Sequence, residues 1–122
     1  MNLTVTLIAL SVVVLIFALL KRVGQISPSN AQSYLKNGAL VIDVRSPGEF
    51  ASGHLPSAIN LPLPEIETAL PRRVKDKDQV LLLHCQSGMR SGVATKKLKS
   101  LGYANAFNLG SYGRAAKLVN SK

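Results

Sequence analysis

The sequence predicts an α/β domain, a mainly parallel sheet with helices on both faces, preceded by one N-terminal transmembrane helix. Three observations predict it. The runs at 39–44 and 79–84 are short and almost continuously apolar, as expected of strands buried on both faces. Helix-start and helix-stop residues separate these runs, so strands and helices alternate along the chain. The first twenty residues carry no charged side chain, and the stretch 7–20 is apolar apart from Ser11.

Residues 1–22 read as a membrane anchor with a basic flank. As a helix, residues 3–20 reach roughly 27 Å at about 1.5 Å per residue, slightly under a hydrocarbon core of about 30 Å. Snorkelling by Lys21 closes that gap. A cleaved signal peptide carries its positive charge before the apolar run and small residues after it, and this leader has neither. Lys21 and Arg22 on the C-terminal flank place residues 23–122 in the cytoplasm by the positive-inside rule. The expectation is a single-pass protein of the inner (plasma) membrane with the lipid bilayer as a partner.

The remaining residues, about one hundred, suit a single domain able to bury its own core. Ser27 and Pro28 form a helix start, and Gly38 stops that helix. The strand at 39–44 follows. Ser46-Pro47-Gly48-Glu49 has the form of a capping box and opens a short helix ending at Gly53. A brief strand at 58–61 is broken by Pro62 and Pro64, and a helix at 65–74 leads to the clearest strand, 79–84. A polar loop from Cys85 precedes a helix at 91–101, with Val93, Leu98 and Leu101 on one face and Gly102 as its stop. A strand at 106–109 and a helix at 111–119 complete the chain.

Formal net charge is +9. The lysines fall at 96, 97 and 99 in one helix, and a second basic stretch, 72–77, is interrupted by Asp76. A solvated face accounts for such patches, and anionic headgroups or an anionic substrate are the alternatives. Nucleic acid is not expected, since no aromatic residues interleave with the lysines and no nucleic-acid motif accompanies them. With one cysteine no intrachain disulfide can form, which suits a reducing compartment. One cysteine and two histidines far apart in sequence make a metal site improbable, and no cofactor is expected.

Cys85 carries the chemistry. It follows the best strand of a parallel sheet, where sites form in loops leading to helix N-termini. The amides of Gln86, Ser87, Gly88, Met89, Arg90 and Ser91 can curl into a nest that attracts anions. Gly88 permits close backbone approach, Arg90 adds fixed charge, and Ser91 can cap the helix. Lowering a thiol pKa from roughly 8.5 to about 6.5 raises the thiolate fraction near neutrality only about tenfold or somewhat more. A loop that also holds an anionic donor and a negatively charged persulfide does more. His54 and His84 are not convincing general bases, since His84 should point to the opposite side of its strand from Cys85.

Three linked segments resemble the rhodanese family: Ile42-Asp43-Val44-Arg45 with Glu49-Phe50, the stretch Gly53-His54-Leu55-Pro56 through Pro62, and the loop from Cys85 to Ser91. The resemblance covers residues 23–119 and implies a five-stranded, mainly parallel rhodanese-type sheet. It also implies a sulfurtransferase: Cys85 takes a sulfane sulfur from a small anionic donor such as thiosulfate, becomes a persulfide, and passes the sulfur to cyanide, a thiol or a protein acceptor. Asp43 and Arg45 match the family's Asp-Val-Arg element and would support the loop. Ser57 stands where the family often has Gly, and Leu109-Gly110-Ser111 where a Gly-Gly pair is usual. Two alternatives belong to the same family. A rhodanese-like phosphatase or arsenate reductase uses a Cys-x5-Arg loop, whereas here four residues separate Cys85 from Arg90. A non-catalytic membrane-docked interaction module lacks the cysteine, which this chain retains.

Overall fold

A computed structural model describes residues 2–121, with the side chains of 20–23, and so the basic flank Lys21 and Arg22, outside the described residues. Helices α1 (Leu3–Val23) and α2 (Pro28–Lys36) lead to strand β1 (Leu40–Asp43). There follow α3 (Pro47–Ser52), β2 (Ile59–Asn60), a 3-10 turn (Leu63–Glu65), α4 (Ile66–Arg73) and β3 (Leu81–His84). The chain closes with α5 (Met89–Ser100), β4 (Ala106–Gly110) and α6 (Tyr112–Asn120). The strands form one parallel sheet in the order β2-β1-β3-β4.

Local chemistry sets the boundaries. The Ser27 hydroxyl accepts from the Asn30 N–H at the start of α2, and Ser46 and Glu49 form a complete capping box on α3. Because side chains alternate along a strand, the sheet divides its apolar residues between two cores. Ile42, Leu81 and Leu83 join Ile66 and Leu70 of α4 and Ala94 and Leu98 of α5. Val41 and Leu82 on the opposite face join Ala31 and Leu35 of α2 and Ala115 and Leu118 of α6. This is the expected α/β sandwich with both faces covered.

Three expectations are corrected. The sheet has four strands where the family resemblance implied five. The segment that would supply the fifth is reduced to one bridge, Gln25 beside Asn108, with the Ile26 N–H donating to the Asn108 carbonyl at 3.0 Å. Helix α1 runs to Val23 and Pro28 opens α2, so too few residues remain between them for a ladder. The helix after the cysteine starts at Met89, with Gly88 rather than Ser91 in the cap position. It buries Ser91, Ala94, Thr95 and Leu98, while Val93 is 46% exposed.

The third correction concerns the anchor. Among the described residues no helix is long and apolar enough to cross a membrane. Helix α1 has 21 residues, and the side chains from Leu20 to Val23 lie outside the described ones. Its first turns also carry Thr4 and Thr6. The single-pass membrane topology is thus unsupported, and Lys21 and Arg22, from which the orientation was drawn, lie outside the described side chains.

Candidate active site

Cys85 directly follows β3, and its N–H donates to the Gly110 carbonyl at the end of β4 (3.2 Å). The residue is buried, its side chain on the α4/α5 face. The Gly88 N–H donates to Sγ at 3.0 Å and the Ser91 hydroxyl lies 3.5 Å away. Burial pushes the thiol pKa up, but hydrogen bonds from the Ser91 hydroxyl and from the backbone N–H groups of Ser91, Gly88 and Ser87 outweigh it, leaving the pKa below its ordinary value. The sulfur also lies at the positive end of α5. Of the loop amides, those of Ser87, Gly88 and Ser91 thus act on the sulfur.

Gly88 makes that arrangement possible. Its φ of +96° lies in the left-handed region, and an added Cβ would come within 3.1 Å of Gln25 Nε2. Neither sequence departure disturbs the turns. Among the described residues no non-glycine has positive φ. Ser111 has φ −74° and caps α6 by accepting from the Arg114 N–H.

Ser91 has one proton and three acceptors near it: Asn108 Oδ1 at 2.7 Å, the Gly88 carbonyl at 3.1 Å and Cys85 Sγ. Asn108 Oδ1 also accepts from the Gly110 N–H at 3.0 Å. It thus stays satisfied when the hydroxyl turns to an ionised sulfur. Asn108 Nδ2 in turn donates to the Gly88 carbonyl at 3.1 Å, fixing the turn that aims the Gly88 N–H. Sequence reading missed Asn108, and its signal is a buried polar residue inside an otherwise apolar strand.

Glu49 above all, and Cys85 to a smaller extent, raise the Arg90 pKa, and Glu49 holds the guanidinium through two bonds, 2.7 Å and 2.9 Å. The Arg90 guanidinium first, and Ser46 second, bring the Glu49 carboxyl down to about 2. Glu49 was legible only as a capping-box residue; nothing in the sequence marks a contact 41 positions away. Met89 is 67% exposed beside the loop, and Gln86 and Ser87 are exposed.

Asp43 and Arg45 lie together beneath the loop. Arg45 Nε donates to both Asp43 oxygens at 3.0 Å, and its terminal nitrogens reach Asp43 Oδ2 (2.8 Å), the Gly53 carbonyl (2.7 Å) and Gln86 Oε1 (3.3 Å). Its guanidinium also stacks over the Tyr112 ring at 4.6 Å. One buried cation therefore ties β1, the turn after α3, the sulfur loop and α6. His84 lies on the α6 side, edge-on to Tyr112, as strand alternation requires. Burial keeps its pKa below the ordinary value against the pull of Asp43, whose Oδ2 is 3.7 Å from Nε2. His54 donates from Nδ1 to the Phe50 carbonyl (2.8 Å) and stacks on the Phe50 ring.

Residues 27–113 match the rhodanese-like domain family. The chain belongs to that family. Among rhodanese relatives, it is 36% identical to thiosulfate sulfurtransferase PspE of Escherichia coli over 57% of this chain and 66% of that protein, so it spans just under two thirds of that relative. It is 37% identical to the human thiosulfate:glutathione sulfurtransferase over 68% of this chain and 84% of that one. The solved structure of the human single-domain sulfurtransferase TSTD1 superposes with a TM-score of 0.65 at 31% identity, covering 77% of this chain and 96% of that one. A rhodanese with anions from E. coli gives 0.61 at 32% identity, over 63% and 91%. Several of these relatives and solved structures are sulfurtransferases by name, and the chain is similar to them across most of residues 27–113.

Proposed function

We propose that this chain, with residues 23–122 as its working unit, moves a sulfane sulfur from a thiosulfate-like donor to a thiophilic acceptor through a persulfide on Cys85. The observation that carries this reading is the convergence of N–H and O–H donors on Sγ at the start of α5. The Cys85 thiolate attacks the outer sulfur of thiosulfate; the S–S bond breaks, its electron pair leaves on sulfite, and Cys85 carries S–S⁻. Cyanide then attacks the outer sulfur, leaves as thiocyanate and returns the electron pair to Cys85. The total negative charge is the same before and after each step. The same amides that favour the thiolate are positioned for the persulfide anion, which is how the loop lowers both barriers.

Cys85 is buried in this resting state. The donor therefore reaches the sulfur when the exposed segment Gln86, Ser87 and Met89 yields. Asp43 and Arg45 support the loop and take no part in proton transfer. The phosphatase reading is disfavoured by Arg90, which Glu49 already grips by two bonds where a phosphoryl group would need it.

The test is turnover by the full chain. Thiocyanate is expected from thiosulfate and cyanide, with loss of activity in Cys85→Ser. Equal turnover by that variant would refute the assignment, and aryl phosphate hydrolysis abolished in it would favour the phosphatase.

A further inference from the structure

On the α3 side of the sulfur loop lies a cleft of about 280 Å³, whose lining includes Val44, Pro47, Pro62, Leu63, Glu65 and Arg90. The cleft borders the sulfur: Val44, in its lining, packs in the same buried cluster as Cys85, and Arg90 stands in the first turn of α5, which follows the sulfur loop. The lining is largely apolar, and its one cation is already matched. Glu49 takes two bonds from the Arg90 guanidinium, and is itself held by the Ser46 N–H at 3.1 Å and the Ser46 hydroxyl at 3.0 Å. Glu65 adds a second carboxylate at the rim, exposed and 3-10 helical. The charged lining is thus one cation and one carboxylate, with Glu49 standing behind the cation outside the lining and already paired with it. Together the three leave a negative excess, the reverse of the chain as a whole, which carries +9.

We infer that this cleft seats the organic body of an acceptor thiol without net negative charge, and that Glu49 sets this preference by occupying Arg90. The inference rests on the sulfurtransferase reading and names its acceptor class. The step it serves is attack of the acceptor thiolate, R–S⁻, on the outer sulfur of the Cys85 persulfide. The S–S bond breaks, the outer sulfur departs as R–S–S⁻, and the electron pair remains on Cys85 as thiolate, so the total charge is unchanged. A dianionic body must enter beside the Glu65 carboxylate with no free cation to meet it, whereas a neutral or cationic body keeps the Arg90–Glu49 pair intact. Contact distances here lie inside the Debye length of about 8 Å at physiological salt, so the discrimination survives salt that screens the overall positive field.

The experiment loads the full chain with sulfur and measures transfer to cysteamine, 2-mercaptoethanol and mercaptosuccinate, each rate corrected for its thiolate fraction. Cysteamine and 2-mercaptoethanol are expected to exceed mercaptosuccinate by about tenfold or more in kcat/KM at physiological salt. Glu49→Gln is expected to close most of that gap through a lower KM for mercaptosuccinate relative to 2-mercaptoethanol. Should Glu49→Gln fold poorly, Glu65→Gln supplies the second arm, with a gain for the dianion of about threefold. Mercaptosuccinate as fast as 2-mercaptoethanol, or a gap untouched by both variants, would overturn the inference while leaving the sulfurtransferase reading standing. Failure to load any sulfur onto Cys85 would instead sink that reading, and this one with it.

Discussion

Burial and hydrogen bonding pull the Cys85 thiol in opposite directions, and the hydrogen bonds win. Removing one of them shifts the balance back. Ser91→Ala is therefore expected to move the inflection of iodoacetamide alkylation to higher pH and to slow alkylation at neutral pH about three- to tenfold. An unchanged profile would mean that the amides alone set the ionisation. At Arg45 the argument concerns stability. Replacing it by Ala strands the buried Asp43 carboxylate, at a cost of about 3–5 kcal/mol measured by urea unfolding. His84 gives a pH dependence of definite sign. Its folded pKa is depressed below 6.5, so as pH falls below about 6.5 the unfolded chain takes up a proton that the folded chain refuses. Stability is lost in that direction, at up to about 1.4 kcal/mol per pH unit until the folded pKa is reached, and a Gln replacement should flatten the slope.

At the scale of elements, β1 and β3 are legible in the sequence because strands buried on both faces need continuous apolar runs. Both lie within the predicted stretches, and the capping box at Ser46 marks α3 for an equally local reason. What sequence cannot mark is a fit between distant segments. The β3–β4 ladder shifts register between Leu83 and His84, which brings Asn108 beneath the loop and Gly110 opposite His84. No local pattern announces that shift, so Asn108 and the Glu49 grip on Arg90 went unseen while Cys85, Gly88 and Arg90 were plain. Helix α5 misled for a related reason. Its inner face packs against the sulfur loop and takes small and polar groups there, with the Thr95 hydroxyl donating to the Ser91 carbonyl at 2.7 Å. Gly88→Ala tests the loop–helix junction. A side chain there meets both a left-handed φ and Gln25, so the variant should lose about 1–3 kcal/mol and much of its thiol reactivity.

For the whole molecule, two apolar layers clamp one parallel sheet, and the site sits where the carboxyl ends of β1 and β3 open between them. Leu83 is completely buried in one of those layers, so Leu83→Ala should cost about 2–5 kcal/mol of stability. The fold class and the two-sided packing follow from pattern, and the motif singles out Cys85 as the candidate nucleophile. The fifth strand does not form because α1 and Pro28 leave its segment too short. The claim on which the account turns is that the donors around Cys85 hold a transferable sulfur, and intact-mass spectrometry of the full chain after exposure to thiosulfate tests it most directly. The account predicts a gain of one sulfur atom, removed by reductant and absent from Cys85→Ser. No mass gain, or the same gain on the serine variant, would contradict it.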